Sequence, residues 1–233
     1  MGHSFCPIWD ATEKRLKPPE MAPVQNIDEK RRLLERLDTK ALHSPIAEKL
    51  TRFRSTAFDL LGGGGEFFQA LRLSESDRAR YGGTVQGDLI LTAKQFIEHG
   101  AGACTVYDEI NPVAYDLHSN IADGMKKIAV PMDFALGKLI EEFSQRCMIL
   151  ISTEFSRTFR INSSGGRDHQ QYGSCAILCG PGVVKGIVIG KTDKFGKGID
   201  GDIPQKSTLP NTALIACGLE IPPSEPRIRE VLK

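Results

Sequence analysis

The chain has 233 residues, 40% hydrophobic and 25% charged, with a formal net charge of +1. That length carries one substantial core, or one large domain with an appendage, and the near-zero charge makes no electrostatic case for nucleic acid or an acidic membrane surface. No apolar run approaches the roughly 20 residues that span a bilayer, and the opening Met1-Gly2-His3-Ser4-Phe5-Cys6-Pro7 lacks the basic-then-apolar order of a signal peptide.

Residues 1–26 are aperiodic and carry Pro7, Pro18, Pro19 and Pro23, which predicts an extended arm. A mostly helical region is expected over 27–100. Its first helix runs from Asp28 to Leu37, capped by Asn26 or Asp28, with Leu33, Leu34 and Leu37 on one face. A second runs from Ser44 to about Leu61, with Ile46, Leu50, Phe53, Ala57 and Leu60 at helical spacing and Pro45 at its first position. The run Gly62 to Gly65 ends it. A phosphate-binding loop would need a strand before those glycines and Lys-Ser or Lys-Thr after them, so they are expected to be a helix–helix linker. Glu66 to Leu71 forms a short helix, Ser74-Glu75-Ser76-Asp77 opens another turn, and Tyr81-Gly82-Gly83-Thr84 breaks the chain. Gln86 to His99 is then a helix with Leu89, Ile90, Ala93, Phe96 and Ile97 on one side and Gly100 as its cap.

An α/β core is expected over 101–223, followed by a tail over 224–233. Ala103 to Tyr107 is its first short strand. A long amphipathic helix, Gly124 to Gln145, buries Ile128, Met132, Ala135, Leu136, Leu139 and Phe143, with Pro131 in its first turns or at a kink. The uncharged run Cys147-Met148-Ile149-Leu150-Ile151-Ser152 reads as a fully buried central strand. Ser174 to Leu178 is a further strand, and Val183 to Gly190 a loop and short strand. Lys191 to Gln205 is a polar surface loop, and Leu209 to Cys217 a last helix closed by Gly218. The six cysteines lack the spacing of a disulfide scaffold and are expected to be mostly buried thiols.

Two clusters of chemistry follow strand-like segments: Asp116 with His118, and Glu154 with Asp168 and His169. In a parallel sheet both lie at the carboxyl ends of strands, where open α/β sheets bind ligands. Asp, Glu and His are a ligand set for a divalent metal such as zinc, manganese or iron. A hydrogen-bonded Asp–His pair bracing a loop explains the same residues. Arg157 and Arg167 flank the second cluster and either hold an anionic substrate group or neutralise Glu154 and Asp168. His3, His43 and His99 have structural explanations. No Gly-x-Ser-x-Gly elbow occurs, and no cysteine has the setting of a nucleophile.

Several stretches recur in a known order: Phe58-Asp59-Leu60-Leu61, Asp77-Arg78-Ala79-Arg80-Tyr81-Gly82, Tyr115-Asp116-Leu117-His118, Ser152-Thr153-Glu154-Phe155-Ser156-Arg157-Thr158 and Gly166-Arg167-Asp168-His169. Together they resemble the bacterial family called domain of unknown function 1501, a branch of the alkaline phosphatase and sulfatase superfamily. The resemblance covers about Gly2 to Pro223. It implies a three-layer α/β/α sandwich with two divalent metals at the carboxyl edge of its sheet, and a Ser, Thr or Cys nucleophile attacking phosphate or sulfate esters. By that resemblance Asp116 and His118 are ligands of one metal, completed by His169, and Glu154 is an acidic ligand of the other. Phe155 stands where a His often follows, and Asp168 is a further ligand or the partner that orients His169. Arg157 and Arg167 would hold the anionic small-molecule ester. Family members typically begin with an export signal and a first half bearing the nucleophile. This chain matches the second half only, so the expectation is an incomplete hydrolase domain, joined by a missing N-terminal half or a protein partner. The alternative is a non-catalytic binding or assembly module that retains the fold.

Overall fold

A computed structural model describes residues 8–10, 15–17, 26–38, 50–51, 53–55, 57–58, 72–107, 115–201, 204–205 and 207–233. The chain divides into two compact units, Met1–Tyr107 and Asp108–Lys233. Among the described residues the secondary structure is helices with three two-stranded antiparallel sheets, an α/β composition at the coarse level. No described helix is long and apolar enough to cross a membrane.

In the first unit, Ile8–Asp10 (β1) pairs antiparallel with Arg15–Lys17 (β2), so the stretch expected to be an arm contains a small ribbon. Helix α1 spans Ile27–Asp38. Its expected apolar face is only partly covered, with Leu33 54% exposed. Of the expected second helix, residues 50–51, 53–55 and 57–58 are described and helical. Its remaining residues, the four-glycine linker and the expected helix at 66–71 lie outside the described residues.

Helix α2 spans Glu75–Arg80 and is capped by Ser74, whose hydroxyl accepts from the Asp77 amide. After the turn at Tyr81–Thr84, helix α3 spans Val85–Glu98, with the Thr84 hydroxyl accepting from the Gly87 amide. Ile90, Leu91 and Phe96 are buried together with the fully enclosed Tyr81. Gly87 is required here: a Cβ would lie 2.2 Å from the Tyr81 carbonyl oxygen. The Asp88 carboxylate is buried and paired with Arg78 at 2.9 Å.

Ala103–Tyr107, expected to be a strand, joins no ladder among the described residues and is largely exposed. Strand propensity alone does not make a strand when no neighbour pairs with it.

In the second unit, helix α4 spans Ile121–Phe143 and buries Ile128, Ala135, Leu139 and Phe143, four of the six residues predicted to line its stripe. It begins three residues earlier than expected because its first turn is tied to the site loop: the Ile121 amide donates to the Gly165 carbonyl at 2.9 Å. That places Pro131 in the helix interior rather than its first turns.

The expected central strand is Ile149–Ser152 (β3), paired with Ala176–Cys179 (β6) in register Ile149↔Cys179 to Ser152↔Ala176. The pairing is antiparallel, which corrects the parallel geometry assumed for the two clusters. Burial also differs from expectation: Ile149 is buried but Leu150 is 38% exposed. A strand with one ladder partner and cover on one face alternates in burial instead of being buried throughout. Strands Ser156–Arg157 (β4) and His169–Gln170 (β5) form a second antiparallel ladder. Val183–Gly190 carries no strand, only a bridge from Val183 to Leu232, and Val188 is 91% exposed. The expected burial of cysteines does not hold: Cys104, Cys175 and Cys217 are exposed, and Cys147 and Cys179 half-buried.

Helix α5 spans Thr208–Ala216. The tail turns back onto it: Ile228 is buried and its amide donates to the buried Thr212 hydroxyl at 3.0 Å.

Candidate metal centre

Two loops and one ladder build the site. The Tyr115–Asn120 loop carries Asp116 and His118, and the β4–β5 ladder carries Arg157 opposite His169. The Asn162–Asp168 loop ties the two together. Asn162 is the clamp. Its side-chain oxygen accepts from the amides of Ser164 (3.0 Å) and Gly166 (2.9 Å). Its side-chain nitrogen donates to the His118 carbonyl (3.1 Å) and to Asp168 Oδ1 (3.0 Å). An Asn before Ser-Ser-Gly-Gly is a residue suited to fold its own backbone into a turn, which is the sequence signal for this clamp. The Arg167 amide donates to the Leu117 carbonyl at 3.1 Å and closes the second loop onto the first. Gly166 permits that approach, because a Cβ there would lie 2.0 Å from the His118 carbonyl carbon.

The side chains of Asp116, His118 and His169 converge, with one ligand atom from each within 4.8 Å of the others. His169 Nε2 lies 2.8 Å from Asp116 Oδ1 and 3.2 Å from His118 Nε2. His118 Nε2 lies 3.1 Å from Asp116 Oδ1. All three residues are about half exposed. Zinc bond lengths of about 2.0–2.1 Å put tetrahedral ligand atoms about 3.3 Å apart, so these three edges suit one small divalent cation.

Proton arithmetic points the same way. His118 Nδ1 faces Asp168 Oδ1 at 3.1 Å. In the neutral imidazole the proton belongs on that nitrogen, leaving a lone pair on Nε2. With both imidazoles neutral, that lone pair, the Asp116 carboxylate and His169 Nε2 share one point with at most one imidazole proton between them. A cation satisfies all three. The hydrogen-bond partner of Asp168 is therefore His118, where the resemblance implies a further ligand or a partner of His169. Phe155 packs against His169 with ring centroids 4.5 Å apart, so the residue at the expected ligand position instead fixes the neighbouring imidazole.

The electrostatics keep the carboxylates ionised. The hydrogen bond from His169, then the Arg157 guanidinium, lower the Asp116 carboxyl to about 2. Hydrogen bonds from His118 and Asn162 lower that of Asp168. Arg157 Nη2 contacts Asp116 Oδ1 and also donates to the Tyr115 carbonyl, while Nη1 donates to the Arg167 carbonyl at 3.3 Å. Arg157 thus neutralises an acidic residue, but Asp116 rather than the expected Glu154 or Asp168. The Arg167 side chain is half-buried. Glu154 is exposed and is not one of the three converging residues.

A family model described as "Protein of unknown function (DUF1501)" matches residues 8–222. No curated protein and no solved structure matches the chain.

Proposed function

We propose, from the premise that the chain belongs to the DUF1501 family, that it is a metal-dependent hydrolase domain of the alkaline phosphatase and sulfatase type. Its fold would be that superfamily's three-layer α/β/α sandwich, and its substrates phosphate or sulfate esters. The observation that supports this reading is the convergence of Asp116, His118 and His169 on one point. These three residues would hold the metal. The ion supplies Lewis acidity toward an ester oxygen.

The chain's own residues prepare that point. Asp168 selects the His118 tautomer whose Nε2 is open to a ligand. Asn162 holds Asp168 and the His118 backbone in one arrangement. The hydrogen bond from His169, and then Arg157, keep Asp116 ionised. Arg167, and Arg157 from its place on Asp116, are the cations that would face an anionic ester.

Elemental analysis of the purified chain tests the centre. About one equivalent of metal is expected in the wild type, as for a single zinc-type site, and none in His169→Ala or Asp116→Ala. A metal-free wild type after reconstitution would end this assignment. Hydrolysis of p-nitrophenyl phosphate and p-nitrophenyl sulfate by the loaded protein then tests the activity.

One observation favours the second reading, a non-catalytic binding or assembly module. Arg157 already sits on Asp116 Oδ1, so the cluster can serve as a charge-balanced loop brace with no ion. Metal uptake without turnover of either ester, or no uptake with the loop intact, supports that module.

A further inference from the structure

Beyond the metal centre, we propose that the second unit carries a separate cleft that binds a ring-bearing anion, a phosphate or sulfate attached to a sugar or aryl ring. The cleft encloses about 450 Å³ and is lined by the cations Arg160, Lys194 and Lys197 and by the rings of Phe159 and Phe195. That volume falls in the range of small-molecule sites.

The cleft is built, not incidental. The loop after Lys191 is closed at its base by the Lys191–Asp200 ion pair (2.8 Å) and the Thr192–Ile199 bridge. Inside it, Asp193 Oδ1 accepts from the amides of Phe195 (2.8 Å) and Lys197 (3.0 Å). The Gln170 side chain donates to the Lys197 carbonyl at 3.1 Å and fastens the loop to strand β5. Gly196, at φ +63, packs so closely on Phe159 that a Cβ would meet that ring at 2.9 Å. The loop tip is therefore held against Phe159.

Charge and exposure then identify the ligand. Lys194 Nζ lies 4.9 Å and Lys197 Nζ 6.0 Å from the Phe195 ring centroid, so cations and ring form one unit. Phe159 is 62% and Phe195 57% exposed. Among the described residues Arg160, Lys194 and Lys197 make no ion pair. The one carboxylate in the loop tip, Asp193, is engaged with backbone amides. Exposed cations beside exposed rings favour a ligand that offers an anion and a flat or apolar ring face together.

The cleft is distinct from the metal centre. Successive residues on a strand face opposite sides. Arg157 and His169, opposite one another in the ladder, serve the metal centre, whereas Gln170 serves the cleft.

Calorimetric binding of phenyl phosphate and phenyl sulfate to the full chain, in the presence of a chelator, tests this. The chelator removes the metal centre from the measurement. Binding of at least one probe is expected, and it should survive His118→Ala. The double variant Lys194→Ala/Lys197→Ala should weaken it about tenfold or more, as loss of charge-assisted contacts does. Phe195→Ala should weaken phenyl phosphate about threefold to tenfold and leave inorganic phosphate unchanged. Whichever probe binds more tightly names the anion. A circular-dichroism melt matching the wild type confirms that each variant is folded. Absence of binding to both probes, binding indifferent to the lysine and phenylalanine variants, or tighter binding of a single-stranded oligonucleotide would each overturn the proposal. A failed metal assay would leave it standing, and its own failure would leave the metal centre standing.

Discussion

Gly166 carries the tightest steric constraint around the metal centre, because the His118 carbonyl carbon lies only 2.0 Å from where its Cβ would stand. Gly166→Ala must push the Asn162–Asp168 loop away from the Asp116–His118 loop. Metal affinity is expected to fall about 10–100-fold, the range seen when the groups that orient ligands are disturbed, as read by competition with a chromogenic chelator. Unchanged affinity would show that the two loops do not depend on this contact. Asp193 gives a pH prediction. Hydrogen bonds from the Lys197 and Phe195 backbone lower its carboxyl from the usual 3.8. A lowered folded value means that the stabilisation is fully present above about pH 4 and is lost as pH falls further. The protection factors of the Phe195 and Lys197 amides should therefore hold from neutral pH down to that range and fall below it. In Asp193→Ala they should be low throughout.

At the scale of elements, the α2–α3 hairpin in the first unit shows how one buried charge fixes a connection. Asp88 is 1% exposed, while the Arg78 side chain that pairs with it is 24% exposed. The pair raises the Arg78 pKa through its hydrogen bond to Asp88, against the lowering effect of burial. The two truncations are unequal. Arg78→Ala strands a carboxylate away from water and should cost about 3 kcal/mol. Asp88→Ala leaves a guanidinium that can reach solvent and should cost about 1–2 kcal/mol. Urea denaturation of both variants measures the difference, and equal losses would contradict this account. The ladder of β4 and β5 works differently. It is only two residues per strand, yet it sets Arg157 against His169 and connects the metal centre to the lysine-bearing loop through Gln170.

For the molecule as a whole, the C-terminal tail matters more to the second unit than its composition implies. Ile228 is 7% exposed, and its amide is held by the fully enclosed Thr212. The Val184 amide donates to the Val231 carbonyl at 2.8 Å. Ile228→Ala should destabilise the protein by about 2–4 kcal/mol, as for other buried aliphatic truncations. A change below about 0.5 kcal/mol, the level of an ordinary surface substitution, would mean that the tail is not part of this core.

Much was legible in the residues alone. The helices at 27–38, 85–98, 121–143 and 208–216 follow, to within a few residues at their ends, from apolar period, and those at 85–98 and 208–216 also from the closing Gly100 and Gly218, because both signals act within a few residues of sequence. The pairing of Asp116 and His118 with the Gly-Arg-Asp-His stretch came from ordered motifs, which preserve the identity of a site without giving its geometry. Only the tertiary structure decided that β3 and β6 run antiparallel, that Ala103–Tyr107 forms no strand ladder among the described residues, that Asp168 serves His118, and that Arg157 lies on Asp116. Strand pairing and side-chain partnership are contacts across tens of residues, up to the 53 that separate Asp116 from His169. No local propensity encodes which distant group arrives to complete them.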